Sequence, residues 1–119
     1  ASVPRETAIR QAANVAAMVA AFASGDLALL GRAIDDRIAE LVRAPLLPGF
    51  REAKAAGMAA GALGMSISGA GPTAFALAPD DETADRVASA MREAYRAAGV
   101  VAETRVSRVD QRGAHVTVN

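Results

Sequence analysis

The run Ser66-Ile67-Ser68-Gly69-Ala70-Gly71-Pro72-Thr73 combines glycines with hydroxyl side chains. Glycine allows positive φ and close approach of another group. Successive exposed N–H groups in such a turn can form an anion-binding nest. Ser66, Ser68 and Thr73 add hydroxyls that can donate to phosphate or carboxylate oxygens. A tight β-connection that needs glycine only for its turn is the other reading of these residues. No Lys follows the glycines and no helix starts there, so the segment is not a P-loop. Its spacing is not that of a dinucleotide-binding turn either.

Arg43 is the second chemical candidate. A guanidinium pairs bidentately with a planar carboxylate, although an arginine at a helix end is also favoured by the helix dipole alone. Asp35, Asp36 and Glu40 offer carboxylates, but Asp35 and Asp36 are adjacent and diverge around a helix. They read as a solvated helix face, with one aspartate available to orient Arg43. His115 is the only histidine and reads as a surface residue with no carboxylate near it in sequence. Met18, Met58, Met65 and Met91 read as fillers among small residues. Tyr95 reads as a helix-edge residue with its hydroxyl in water.

The elements that would carry these residues follow from periodicity. Pro4 suits the start of a helix, and Ile9, Ala12, Val15, Ala16, Val19 and Phe22 recur at helical spacing up to Ser24 and Gly25. Asp26 is an N-cap candidate for a second helix with Leu27, Leu30, Ile34, Ile38 and Leu41 on one stripe. Residues 43–50 form an ordered connector that carries Leu46, Leu47 and Phe50. A third helix runs from near Pro48 to Gly61, its Ala and Gly content requiring a close neighbour. The period then becomes two: Leu63, Met65 and Ile67 alternate with small residues as a strand. A second strand covers 73–78. Asp80 or Asp81 caps a helix bearing Ala84, Val87, Met91 and Ala94, which Gly99 ends. Val100, Ala102, Thr104 and Val106 alternate as a third strand. Gln111, Arg112 and Gly113 turn the chain into a fourth with Ala114, Val116 and Val118. Helices beside sequence-adjacent strands argue for an α+β layered domain, a ferredoxin-like antiparallel sheet packed on helices.

Bulk properties narrow the class. The 119 residues fit one domain spanning 1–119. Thirteen basic residues balance thirteen acidic ones, and aromatics make up 3%. This gives no electrostatic footprint for nucleic acid or an anionic membrane and few stacking platforms for single strands. No cysteine is present, which excludes disulfide and thiolate chemistry and agrees with a cytoplasmic setting. No apolar run approaches the roughly 20 residues of a membrane span. Ala1 follows either Met removal or a longer upstream chain.

The segment 61–73, Gly61-Ala62-Leu63-Gly64-Met65-Ser66-Ile67-Ser68-Gly69-Ala70-Gly71-Pro72-Thr73, resembles the third conserved motif of the GHMP kinases, the galactokinase, homoserine kinase, mevalonate kinase and phosphomevalonate kinase relatives. Arg43 followed by Leu46-Leu47-Pro48-Gly49-Phe50 is similar to the pattern of the homoserine kinase branch, as is Gly113-Ala114-His115-Val116, with His115 where that branch has arginine. The resemblance spans nearly the whole chain.

It implies a C-terminal domain whose active site is completed by an N-terminal GHMP domain. The phosphate loop of that partner domain, Pro-x-x-x-Gly-Leu-Gly-Ser-Ser-Ala, does not occur here. The implied reaction moves the γ-phosphoryl group of ATP, with Mg²⁺, to the hydroxyl of L-homoserine in threonine biosynthesis. ATP and Mg²⁺ would be held mainly by the N-terminal domain, with no metal ligand here. Arg43 would bind the substrate carboxylate with help from Ser66 and Thr73. Ser68, Gly69, Ala70 and Gly71 would lie near the transferred phosphoryl group. Another small-molecule GHMP kinase, or a non-catalytic ferredoxin-like binding module, stays open. Without its partner domain the chain would expose apolar surface, so self-association as a homodimer is expected.

Overall fold

Local signals fix most helix ends. The computed structural model describes residues 2–110 and 112–117. Pro4 precedes α1 (Arg5–Ser24), and Gly25 closes it in the left-handed conformation at φ 72°. Asp26 accepts a hydrogen bond from the Leu29 amide at 2.8 Å and so caps α2 (Leu27–Ala33). After α3 (Ala39–Arg43), a 3₁₀ turn (Ala44–Leu46) leads through Gly49 into α4 (Phe50–Ala59). Strands β1 (Gly64–Ile67) and β2 (Ala74–Leu77) form an antiparallel pair with Met65 opposite Ala76 and Ile67 opposite Ala74. Asp80 caps α5 (Asp81–Ala97) through the Thr83 amide at 2.7 Å. That hydrogen bond holds the Asp80 carboxyl below the usual carboxylate range.

The domain is α+β in two layers. α4 packs on α5, α1 packs on α2, and β1 touches both α4 and α2. The main core joins Ala44, Phe50, Ala53, Ala62, Met65, Val87 and Met91, with Phe50 and Met65 fully enclosed. Burial of each of those two side chains contributes about 1.5–3 kcal/mol. A smaller cluster of Ala21, Leu30 and Ile34 ties α1 to α2. Gly57 lets α4 approach the Met65 and Met91 side chains, the close neighbour that its composition predicts.

Five expectations change. The stripe Leu27, Leu30, Ile34, Ile38, Leu41 is not one helix, because Asp36 turns back on the chain. Its carboxylate accepts from the amides of Ile38, Ala39 and Glu40 at 2.9, 2.8 and 3.2 Å, so it starts α3 instead of continuing α2. Leu41 is left 69% exposed. Secondly, α1 turns its most apolar side outward, with Val15, Val19 and Phe22 exposed. Its inner face uses Asn14, which donates to the Asp35 carbonyl at 2.9 Å, and Gln11, which accepts from the Arg37 amide at 3.0 Å.

Thirdly, the alternating residues 100–106 and 114–117 form no strand among the described residues, so the sheet is two-stranded there. Alternation prepares two faces but does not supply a neighbouring strand, and Val101 and Val116 are left almost fully exposed. Arg108 instead pairs with Asp81 at the start of α5, which lowers the Asp81 pKa. The turn residue Gln111 and the strand residue Val118, like Ala1, lie outside the described residues. Fourthly, Tyr95 is half-buried against the main core beside Gly49, and this burial raises its phenol pKa. Fifthly, Met58 is exposed rather than filling a gap, whereas Met65 and Met91 are core.

Close packing of α2 on β1 makes one glycine decisive. A Cβ on Gly31 would lie 2.5 Å from the Leu63 carbonyl oxygen. Helix propensity alone would make Gly31→Ala stabilising by about 1 kcal/mol. We expect instead a net loss of about 1–3 kcal/mol from the forced shift, read as a lowered midpoint in urea unfolding. A raised midpoint would show that α2 can move off the strand freely.

Candidate functional site

The site assembles where the connector after α3 meets the loop between β1 and β2. Residues 68–73 form a tight turn: the Ser68 amide donates to the Thr73 carbonyl at 2.8 Å, and the Gly71 amide donates to the Ser68 carbonyl at 3.0 Å. Gly69 and Gly71 hold positive φ of 57° and 80°, and the Gly71–Pro72 peptide is cis. Two of the loop's amides are therefore engaged in making the turn. Among the described residues those of Gly69, Ala70 and Thr73 have no backbone partner, and those of Gly69 and Ala70 are adjacent, as an anion-binding turn requires.

Arg43, the last residue of α3, reaches across to this loop and donates from Nη1 to the Gly69 carbonyl at 2.5 Å. The 3₁₀ turn and the Leu47 backbone then bring the chain back towards the core. The Leu47 amide donates to the Ala44 carbonyl at 3.2 Å and the Phe50 amide to the Leu47 carbonyl at 3.1 Å. Gly49 takes φ 77° beneath the Tyr95 ring, a space that a side chain there would need. A Cβ on Gly71 would meet the Leu47 side chain at 3.2 Å, whereas one on Gly69 would meet nothing within 4 Å. Loop and connector therefore touch twice, at Arg43–Gly69 and Leu47–Gly71. Gly69 faces open space where a ligand can approach.

The remaining site residues separate into two groups. Ser68, Gly69, Ala70 and Thr73 are exposed on or beside the turn. Ser66 is buried on β1 below it, with 7% exposure, and its hydroxyl donates to Glu40 Oε2 at 2.9 Å. It is thus engaged inside the protein rather than presented to a ligand. Glu40 also accepts from the Lys54 ammonium of α4 through Oε1. Neither Glu40 nor Lys54 stands out as a site residue in the sequence, where Glu40 reads as solvated; its side chain is only 15% exposed. The available signals were the Glu40/Arg43 spacing of three on one helix face and the fact that Lys54 is the chain's only lysine.

Asp35 and Asp36 do not reach Arg43. Asp35 pairs with Arg37 at 2.6 Å, and Asp36 caps α3. His115 is exposed, its Nδ1 3.5 Å from the Gly113 carbonyl oxygen. Among the described residues no three His, Asp or Glu side chains gather as a metal cage. Among the same residues, no helix is long and apolar enough to cross a membrane.

Known proteins share this sequence and fold. The family model for the C-terminal domain of GHMP kinases matches residues 18–97. The chain is 50% identical over 94 residues to a homoserine kinase of Chlorobium phaeobacteroides, covering 79% of this chain and 29% of that protein. It is 38% identical over 116 residues to a homoserine kinase of Arabidopsis thaliana, covering 96% of this chain and 31% of that one. The crystal structure of a homoserine kinase from Cytophaga hutchinsonii superposes with a TM-score of 0.79 at 41% identity, over 81% of this chain and 30% of that one. The chain thus spans about three tenths of the length of these relatives.

The two loop glycines should respond differently to substitution. Gly69→Ala meets no atom and carries only the left-handed backbone cost of about 1–2 kcal/mol. Gly71→Val adds collision with Leu47 and Ile67 to the same cost, so it should lose about 1–3 kcal/mol more. Urea unfolding of the two variants measures the gap, and equal losses would show that Leu47 does not press on the loop.

Proposed function

This chain belongs to the GHMP kinase family as its C-terminal domain, and from that premise we propose that it is the acceptor-binding domain of an ATP-dependent homoserine kinase. The reaction would be transfer of a phosphoryl group to the hydroxyl of L-homoserine, giving O-phospho-L-homoserine, a step of threonine biosynthesis. The observation that carries the reading is the Arg43–Gly69 contact. It joins a guanidinium suited to an amino-acid carboxylate with a donor-bearing loop suited to a phosphoryl group.

Arg43 has a division of labour available to it. Nη1 holds the loop carbonyl, and the donors left over can pair with a carboxylate in the fork geometry that arginine favours. Binding of homoserine would then fix the acceptor and steady the loop with one side chain. Gly69 and Ala70 supply amides set in place before reaction, which suits phosphoryl transfer, where positioning and charge stabilisation dominate. Ser68 lies on the turn with its side chain exposed, and Thr73 closes the far end, so both can add hydroxyl donors to substrate oxygens. Ser66 serves the site from below, through Glu40.

ATP, bound with Mg²⁺, would supply the transferable phosphoryl group. Its contacts would belong mainly to an N-terminal GHMP domain, as membership of the family implies. That domain is also a partner suited to exposed apolar side chains such as Val15, Val19 and Phe22. Without it, self-association is the expected behaviour. The reading includes a cytoplasmic location, in keeping with a cysteine-free chain.

A full-length kinase carrying this domain should phosphorylate homoserine in preference to mevalonate and galactose, and the reverse preference overturns the reading. The 119-residue chain alone should not turn over ATP. Arg43→Ala should raise the KM for homoserine roughly 10- to 100-fold, since a lost hydrogen bond to a charged group removes about 1.5–3 kcal/mol. The KM for ATP should barely change. Equal effects on both substrates in steady-state kinetics would remove Arg43 from the acceptor site. Bulky replacement of Gly69, which crowds the open side of the loop, should abolish turnover in a folded enzyme.

A further inference from the structure

α3 carries Arg43, yet none of its five residues is buried. Leu41 and Val42 of this helix point their side chains into solvent, at 69% and 68% exposure. Apolar packing therefore reaches the helix only at its C-terminal end, where the buried Ala44 joins the core, and leaves the body of the helix without an apolar contact to fix its rotation. Its N-terminus is set by the Asp36 carboxylate, which is a local tie to the preceding residues. Besides Arg43 itself, the side chain of α3 that bonds to the layered body is Glu40. One of its oxygens accepts from Lys54 on α4, and the other accepts from Ser66 on β1.

This pair differs from the other ion pairs. Glu40 and Lys54 are 15% and 28% exposed at the side chain, whereas every other ion pair among the described residues has both partners at least 45% exposed. Exposed pairs contribute little to holding an element. A screened, doubly bonded carboxylate does far more to fix a position, because breaking it strands a charge away from water. Glu40 lies three residues before Arg43, so both leave the same face of α3. Rotation or sliding of α3 about that face would move the guanidinium off Gly69.

We propose that Glu40 is a positioning residue, which locks α3 to α4 and β1 and thereby holds the Arg43 guanidinium at the glycine loop in register for the acceptor's carboxylate. The proposal rests on the homoserine kinase reading for its substrate and on the geometry for its mechanism. Ser66 acquires a function in the same step: it ties the carboxylate to the strand that leads into the loop, so arginine and loop share one reference point.

The test uses the full-length kinase. Glu40→Gln keeps shape and a hydrogen-bond partner for Ser66 but loses the ion pair, and Glu40→Ala removes both. The KM for homoserine should rise about tenfold in Glu40→Ala and by less in Glu40→Gln, while the KM for ATP stays within about twofold of wild type. The exchange Glu40→Lys with Lys54→Glu restores an opposite-charge pair across the same gap, and should return the homoserine KM towards wild type. A structural role alone predicts a reduced active fraction and a lower melting temperature with KM unchanged and no recovery in the exchanged protein, and that result overturns the proposal.

A second readout is independent of substrate identity. In the same protein labelled with ¹⁵N-arginine, the Nε–H signal of Arg43, assigned from Arg43→Lys, should shift or broaden in Glu40→Ala. If wild type is inactive on homoserine but the Arg43 signal still depends on Glu40, the substrate reading fails and the anchor stands. If wild type is active and neither KM nor signal responds to Glu40, the anchor fails and the substrate reading stands.

Discussion

Phe50 and Met65 share one core, and the site depends on that packing. Phe50 begins α4 and Met65 lies in the middle of β1, so their burial in one cluster fixes where the connector ends relative to where the glycine loop begins. From that fixed point the chain runs back through Gly49, Leu47 and the 3₁₀ turn to Arg43, and forward through Ile67 to Gly69. Both paths are short. Two segments anchored this closely leave little freedom at their tips, and the tips are the arginine and the loop. The apolar core here sets the separation of the chemical groups as well as the stability of the fold.

Away from that core the structure changes the kind of force it uses. α3 has no buried residue, and its placement relies on carboxylates: Asp36 at its start and Glu40 in its body. A short polar helix gains little stability from such ties once desolvation is counted. It gains direction, because a hydrogen bond is lost with angle where an apolar contact is merely weakened. The same mixture appears in α1, where Gln11 and Asn14 bind residues 35–37 and Ala21 and Met18 pack with α2, while Val15, Val19 and Phe22 face out.

Much of the architecture was legible where local physics decides it. Asp26 and Asp80 cap their helices, Gly25 and Gly61 adopt positive φ at helix ends, and the two strands around the loop pair as the period of two suggests. The loop and Arg43, singled out separately in the sequence, are in contact. What was hidden depends on distant partners. The apolar stripe from Leu27 to Leu41 is a true pattern, but the Asp36 carboxylate competes for the backbone and breaks the helix. The alternation after Gly99 carries no information about which edge would receive it. Glu40 looked solvated because its partners, Lys54 and Ser66, are 14 and 26 residues away in sequence.

The Arg43 contact falls on a backbone carbonyl and not on a side chain. Its two ends therefore tolerate inheritance differently. At position 43 almost any exchange destroys the link outright. At position 69 the oxygen persists whatever residue is encoded, and only a change in the path of the main chain can withdraw it. Sequence drift in the turn is thus filtered through one geometric criterion, the direction of a single peptide plane. Positions 68 and 70 can vary in chemistry without loosening the arginine's hold.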